Sequence, residues 1–278
     1  MRAPLPVLAA LALIAAPAAA DPGRAAELAD KKAAVLELMH GKAKRDLVNV
    51  AQDEAFARYF AATDEAGRAD AKARIERIAL ATQSRFAVEE MCLIDPHGHE
   101  IMRIVGSSVA HDLSHEEASA PFFAPAFDQP PRSVHISEAY LSPDTDRWVV
   151  AYVTPVMAGG RKAAVLHYEH RLDTYQAALR GATTEGWAAL VGEDGLVLAD
   201  TRGDPPVQRR GEQEARADYF TPFALAGLSL DQLKQRLGGG AAGSGWIDSP
   251  GGAVAVAYRQ SERWTVVAAL PDRAAPSQ

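Results

Sequence analysis

Two stretches about a hundred residues apart repeat one pattern: a short apolar strand, a turn closed by glycine, and a second strand. The first is Met91-Cys-Leu-Ile-Asp-Pro-His-Gly98-His-Glu-Ile-Met-Arg-Ile-Val105 and the second Ala188-Ala-Leu-Val-Gly-Glu-Asp-Gly195-Leu-Val-Leu-Ala199. Each is followed by a strand pair carrying a Trp and a Tyr. In the first copy these are Trp148 to Val156 and Ala163 to Glu169; in the second, Ala253 to Tyr258 and Trp264 to Ala269. Solenoid repeats have shorter periods, so this spacing predicts two domains of one architecture.

Length supports two such units. Beyond the first twenty residues roughly 250 remain, room for two domains of common size. Apolar residues make up 48% of the chain, enough for each to bury a core. The formal charge of -7 disfavours a polyanion such as DNA or RNA and leaves small molecules or proteins as partners. No basic patch with interleaved aromatics points the other way.

The N-terminus has a charged start at Arg2, an apolar run from Leu5 to Ala16, and Pro17-Ala-Ala-Ala20 before Asp21. These are the parts of a secretory signal peptide cut after Ala20. The apolar run is shorter than the ~20 residues a spanning helix needs. The expectation is therefore a soluble, exported product, periplasmic or secreted, with no membrane span after cleavage. The single cysteine, Cys92, has no partner within the chain for a disulfide and reads as an inert buried thiol in a strand.

Apolar positions at Leu28, Val35, Leu38, Met39, Leu47, Val50, Ala51 and Phe56 fit one long amphipathic helix from Ala25 to about Phe60, broken near Gly41. A second helix is expected from Ala66 to Arg85, with Ile75, Ile78, Leu80 and Ala81 inward. Residues 111–132 carry Pro121, Pro125, Pro130 and Pro131 among Phe122, Phe123 and Phe127, and read as a long loop with a short helix, suited to cover a binding site. Leu172 to Gly181 reads as a linking helix, Gly203 to Gly211 as a polar loop, Ser229 to Leu237 as a helix capped by Ser229, and Gly238 to Gly245 as a flexible turn.

A long N-terminal helix, the string Ser137-Glu-Ala-Tyr140 through Trp148-Val-Val-Ala-Tyr152-Val-Thr-Pro155, and a second unit opening at Ala188 together resemble the double Cache sensor family. The resemblance spans roughly residues 30–270 and implies an α+β chain of two PAS-like domains, each an antiparallel sheet flanked by helices. The implied division is a signal peptide over 1–20, a helical segment over 21–85, a ligand-binding membrane-distal-type domain over 86–180 and a smaller second domain over 181–272. Such domains sense ligands outside the cytoplasm for chemoreceptors and sensor kinases. The usual membrane segments and cytoplasmic signalling domain do not accompany this sequence, which implies a free-standing exported sensor that passes its signal to a separate membrane receptor or sensor kinase. The Arg-x-Trp-Tyr string of amino-acid-binding members is absent, so an amino-acid ligand is not supported.

Residues two apart on a strand share a face. That groups Trp148, Val150, Tyr152 and Thr154 as an aromatic and hydroxyl face suited to a pocket wall, and Val165, His167 and Glu169 as a face of the next strand. Similar family members carry an acidic residue where Glu169 falls, and there it meets the amine of amine-bearing ligands; a salt-bridged strand-end carboxylate is the other reading. Tyr140 stands at a strand end, as a ligand contact or as packing for the hairpin. Arg103, in an apolar strand, needs a partner. It would hold a ligand carboxylate or pair with Glu100 or Glu138. The expected ligand-binding set is Arg103, Phe122, Phe123, Tyr140, Trp148, Tyr152, His167 and Glu169, with capture beneath the Phe122/Phe123 loop.

Among eight histidines, His97-x-His99 and His111-x-x-x-His115 invite a metal hypothesis, but zinc needs three or four ligands and the segments read as solvated turns. No nucleophile elbow, phosphate loop or cofactor motif occurs, and Glu89-Glu90 and Glu116-Glu117 read as ordinary surface charge. Neither catalytic nor metal residues nor a cofactor are assigned. Two other readings stay open: a non-catalytic interaction subunit that dimerises through the long helix, and a His-dependent metalloenzyme.

Overall fold

The computed structural model describes residues 20–86, 89–181, 186–203 and 219–271. The signal peptide expected over residues 1–20 lies, but for Ala20, outside the described residues, as does most of the polar loop expected from Gly203 to Gly211.

A 30-residue helix, α1 (Pro22–Ala51), opens the described chain. The Asp21 side chain accepts a hydrogen bond from the Arg24 amide at its N-terminus, and Pro22 fills a position where no amide donor is needed. The expected break at Gly41 does not occur. The helix runs through it and ends at Ala51, because Asp53 turns its side chain to the Ala55 amide (2.9 Å) and starts α2 (Glu54–Ala61). The next helix, α3 (Glu65–Phe86), buries Ala71, Ile75, Ala79, Thr82 and Gln83, whereas Ala81, expected inward, is exposed.

Then come β1 (Glu90–Ile94), β2 (Glu100–Val105), β3 (Ser108–Val109), α4 (Phe123–Asp128), β4 (His135–Ser142), β5 (Arg147–Ala158), β6 (Arg161–Arg171) and α5 (Leu172–Gly181). The second unit holds β7 (Trp187–Val191), β8 (Val197–Asp200), α6 (Leu230–Arg236), β9 (Ala242–Ser249), β10 (Gly252–Ser261) and β11 (Trp264–Pro271). The described strands form two antiparallel sheets, ordered β3-β2-β1-β6-β5-β4 and β8-β7-β11-β10-β9. Apart from the two-residue β3, both orders run second, first, fifth, fourth, third. This is the duplication seen in the sequence, now as topology. Gly98 and Gly195 sit at the matching first turns with φ of +83° and +78°, a region that glycine enters without strain. A Cβ on Gly98 would stand 2.3 Å from the Ala118 amide, so that turn also lets the long loop close onto the hairpin.

β9 is where the expected flexible turn at Gly238–Gly245 gives way. Its Gly-rich start hides it from a propensity reading, yet Ala242 to Ser249 pair in register with Arg259 to Gly252 of β10. The glycine at 243 is required by contact, since a Cβ there would meet the Leu237 carbonyl oxygen at 2.3 Å.

At 1.5 Å per residue α1 is about 45 Å long, enough to cross both sheets. Its first turns pack Ala25, Leu28 and Ala29 on a small-residue face of Ala188, Ala255, Ala257 and Ala268. Its later turns bring Ala33, Leu36, Ala43 and Leu47 onto the first sheet with α2, α3 and α5. One helix thus backs both units. None of the helices among the described residues is long and apolar enough to cross a membrane.

Candidate functional site

The first sheet has a back face beneath α1 and a front face beneath the loop 111–132. Strand register assigns each residue. On the back lie Met91, Leu93, Met102, Ile104, Val150, Leu166 and Tyr168. On the front, Cys92 stands opposite both Arg103 and His167, His167 opposite Val153, and Glu169 opposite Ala151. Glu90 precedes Cys92 by two and shares its side.

Of the eight expected ligand-binding residues, Arg103, Phe122, Phe123, Tyr140, His167 and Glu169 meet on the front. Trp148 and Tyr152 do not. They stand on the back face because β5 alternates the other way relative to β6 than an aromatic pocket wall would need. Trp148 packs against Tyr219 and Phe220, at ring distances of 4.9 and 4.8 Å. The Tyr152 hydroxyl meets His40 Nδ1 at 2.5 Å and the Tyr175 hydroxyl at 2.9 Å. These aromatics belong to the seam that joins α1, α5 and both sheets, since the His40 ring also lies 4.8 Å from Trp264 of β11.

The front face is polar at its centre. The Tyr140 hydroxyl donates to Glu169 Oε1 and lies 3.1 Å from His167 Nε2, itself 3.5 Å from Glu169 Oε1. Phe122 stacks on His167 at 4.2 Å with an interplanar angle of 11°, and Phe123 packs beside it against Phe127. The Cys92 thiol contacts Glu90 Oε1 at 2.9 Å and Glu100 Oε1 at 3.1 Å. Arg103 is 4% exposed and answers three carboxylates, Glu100 (3.2 Å), Asp112 (2.9 Å) and Asp144 (2.6 Å). The Glu100 pairing was one of the two expected; Glu138 instead pairs with Arg263. Glu100 also accepts from the Ser114 amide at 2.6 Å, which ties the loop to β2.

Glu90, expected on the surface, is 2% exposed; its neighbour Glu89, just before the strand, is half-buried. The sequence offered a usable sign, a Glu-x-Cys pair alternating with Met91 and Leu93. Burial, with Glu169 and Asp144 adding repulsion, pushes the Glu90 carboxyl well above the usual range. Burial first, then Glu90 and Glu100, pushes the Cys92 thiol up. Burial lifts Asp144 to about 6 against the pull of Arg103. Burial and Glu169 raise the Tyr140 hydroxyl. Buried and without hydrogen-bond partners are Glu90 Oε2, Glu169 Oε2, His167 Nδ1 and Arg103 Nε. Acidic groups outnumber basic ones here, and a cation that displaced their protons would be held by them.

Elsewhere, His97, His99, His111 and His115 are exposed on the loops. A cavity of about 260 Å³ lies on the back side between the α1–α2 junction and β5, lined among others by Gln52, Asp53, Arg132, Thr154 and Met157. It shares none of the front-face residues.

No family model and no curated protein matches the chain. Solved structures do. The sensory domain of the Campylobacter jejuni chemoreceptor Tlp3, with isoleucine bound, is 12% identical with a TM-score of 0.68, over 91% of this chain and 92% of that one. The ligand-binding domain of the Pseudomonas fluorescens chemoreceptor CtaA with L-serine is 15% identical with a TM-score of 0.59, over 91% and 97%. The Pseudomonas aeruginosa amino-acid chemoreceptor PctC with GABA gives 16% and 0.57, over 90% and 98%. The chain has the fold of these ligand-binding sensory domains, the tandem PAS-like architecture that the sequence resemblance implied.

Proposed function

We propose that this chain is the ligand-binding part of an exported sensor of the double Cache type. It takes a small, positively charged solute on the front face of its first sheet and reports the event to a separate membrane receptor or sensor kinase. The observation that carries this reading is the pair of buried carboxylates, Glu90 and Glu169, each with one oxygen lacking a hydrogen-bond partner beneath a Phe-bearing loop. Leaving such groups unpaired is costly, and a cation held between them offsets the cost. The solved neighbours whose names describe bound amino acids and GABA support a sensing role. Catalysis has no support in the residues brought together.

In this reading residues 1–20 are removed on export to the periplasm or beyond, 21–85 form the helical lead-in, 86–180 the ligand-binding domain and 181–272 the second domain. Phe122 covers the site, so entry needs the 111–132 loop to move. Its reclosure over a solute would bias α1, which spans both sheets, by no more than the solute's differential affinity for the two loop positions.

A thermal-shift screen of the purified protein against amines and metal cations tests the reading. A cationic solute is expected to raise the midpoint, with the shift lost in Glu169→Gln and hydrogen exchange slowed in residues 111–132. A shift untouched by Glu169→Gln and Glu90→Gln, with no protection of that loop, would reject the site.

A further inference from the structure

From the placement of three donors on the front face we infer that Glu90, Cys92 and His167 form a binding site for a divalent transition-metal ion. One ligand atom from each lies within 4.8 Å of the other two. The arrangement is fixed by the main chain. Glu90 and Cys92 are two apart on β1, and His167 is the direct cross-strand partner of Cys92 on β6. All three are buried, and Glu90 Oε2 and His167 Nδ1 have no hydrogen-bond partner. Four-coordinate metal sites place ligands about 2.0 to 2.3 Å from the ion, which sets ligand-to-ligand separations of roughly 3 to 4 Å. Small side-chain adjustments from the present spacing reach that range.

The donor set names the class of metal. A thiolate with an imidazole and a single carboxylate selects zinc-like, borderline-soft ions such as Zn²⁺, Co²⁺ or Ni²⁺ over Mg²⁺ and Ca²⁺, which want oxygen. Charge also balances. A dication, the Cys92 thiolate and the Glu90 carboxylate sum to neutral, which a buried site requires, and the thiol proton and the proton held on Glu90 leave to solvent on binding. A fourth position is left for a neutral donor such as water or a group brought by a solute. His167 has the outer-shell support that metal-bound histidines show, with its Nε2 held between the Tyr140 hydroxyl and Glu169 while Nδ1 is left for a metal. This names the cation for the sensor reading of the same face, and rests on it for biological sense but not for chemistry.

The test is a titration of reduced, chelator-stripped full-chain protein with Co²⁺. A thiolate-to-cobalt charge-transfer absorption is expected at one ion per chain, displaced by Zn²⁺, absent in Cys92→Ser, and weakened in affinity by about 10- to 100-fold in Glu169→Gln through loss of the outer-shell contact. Cys92→Ala, isolated as a folded protein by circular dichroism, keeps the comparison valid if the serine variant misfolds. No thiolate absorption in the folded wild type overturns the metal site, as does an absorption that survives Cys92→Ala or His167→Gln. If the wild type lacks the absorption yet an organic amine raises the midpoint in a Glu169-dependent way, the metal site fails and the sensor reading stands; if neither occurs, both fail.

Discussion

The two faces of the first sheet are built from alternate residues of the same strands, and their chemistry is opposite. On the back, the polar groups are mostly rings set among apolar side chains, as in the chain from His40 through Tyr152 to Tyr175, although His40 Nε2 and His170 Nδ1 keep no hydrogen-bond partner. On the front, Glu100, Asp112 and Asp144 surround one arginine, and Glu90 and Glu169 each keep an oxygen without a partner. Burial cannot explain the difference, because both faces exclude water. What differs is the cover. α1 brings a continuous apolar stripe to the back and ties it to the second sheet. The loop over the front brings polar groups as well as rings, with Ser114 on Glu100, Asp112 on Arg103, Glu117 on Gly98 and Phe122 on His167. One face is built around rings and apolar side chains; the other gathers acidic groups that outnumber its one arginine.

The largest effect that tests this contrast comes from the back. Tyr152 is fully buried, and Tyr152→Ala removes its ring from the α1 seam and leaves His40 without its partner. Truncating a buried aromatic costs about 3–5 kcal/mol, and denaturant unfolding should show a loss in that range. Glu169→Gln, on the front, should move the ligand-free protein by no more than about 1 kcal/mol. Equal losses in the two variants would erase the distinction between the faces.

The next effect is a pH dependence of opposite sign on the two faces. Burial pushes both His40 and His170, on the back, down to about 4 from an ordinary 6.5. Their contribution is fully present above pH 6.5 and is lost as pH falls through 4, by at most about 3 kcal/mol for each. Asp144, on the front, is raised from 3.8 to about 6, so its contribution is present below 3.8 and is lost as pH rises through 6. In His40→Gln the acid-side fall in unfolding free energy between pH 6.5 and 4 should shrink by about one proton's worth of slope. Asp144→Asn should leave that fall steeper, because the opposing group is gone. A His40→Gln profile parallel to the wild type would break the assignment of acid sensitivity to the back.

Much of the fold was legible because its signals are local. Alternation marks strands, and Gly98 and Gly195 mark matching turns, so the duplication could be read without knowing how strands pair. β9 was hidden for the same reason, since Gly243 is dictated by the Leu237 carbonyl and Gly245 lies against the Leu237 side chain, contacts that local propensity does not register. The site was half legible. Period-two alternation says which residues share a face but not which way the face looks, and that depends on where α1 lies. Aromatic residues on β5 suggested a pocket wall, yet Trp148 and Tyr152 serve equally well as core with polar tips, and His40 and Tyr175 supply the partners. The better sign was polarity in apolar strands. Glu90 and Cys92 alternate with Met91 and Leu93, Arg103 with Met102 and Ile104, and His167 and Glu169 with Leu166 and Tyr168. All of these polar residues point to the front. On β5 the front-facing set is apolar, and the small Ala151, opposite Glu169, gave no such mark.

The smallest effect is the sharpest for the front. A carboxyl raised by burial and by Glu169 and Asp144 is stabilising below its ordinary pKa, and that contribution is lost as pH rises through the folded value. Glutamine at this position mimics the protonated acid in shape and still accepts from Cys92 through its carbonyl oxygen. Glu90→Gln, measured in chelator so that no cation fills the site, should therefore be more stable than the wild type by on the order of 1 kcal/mol at pH 8, with the gain shrinking toward pH 5. The informative quantity is the difference between the two pH values, since a general packing change would shift both equally. A variant no more stable at pH 8 than at pH 5, relative to the wild type, would mean that Glu90 carries no uncompensated charge, and the front face would then be as electrostatically settled as the back.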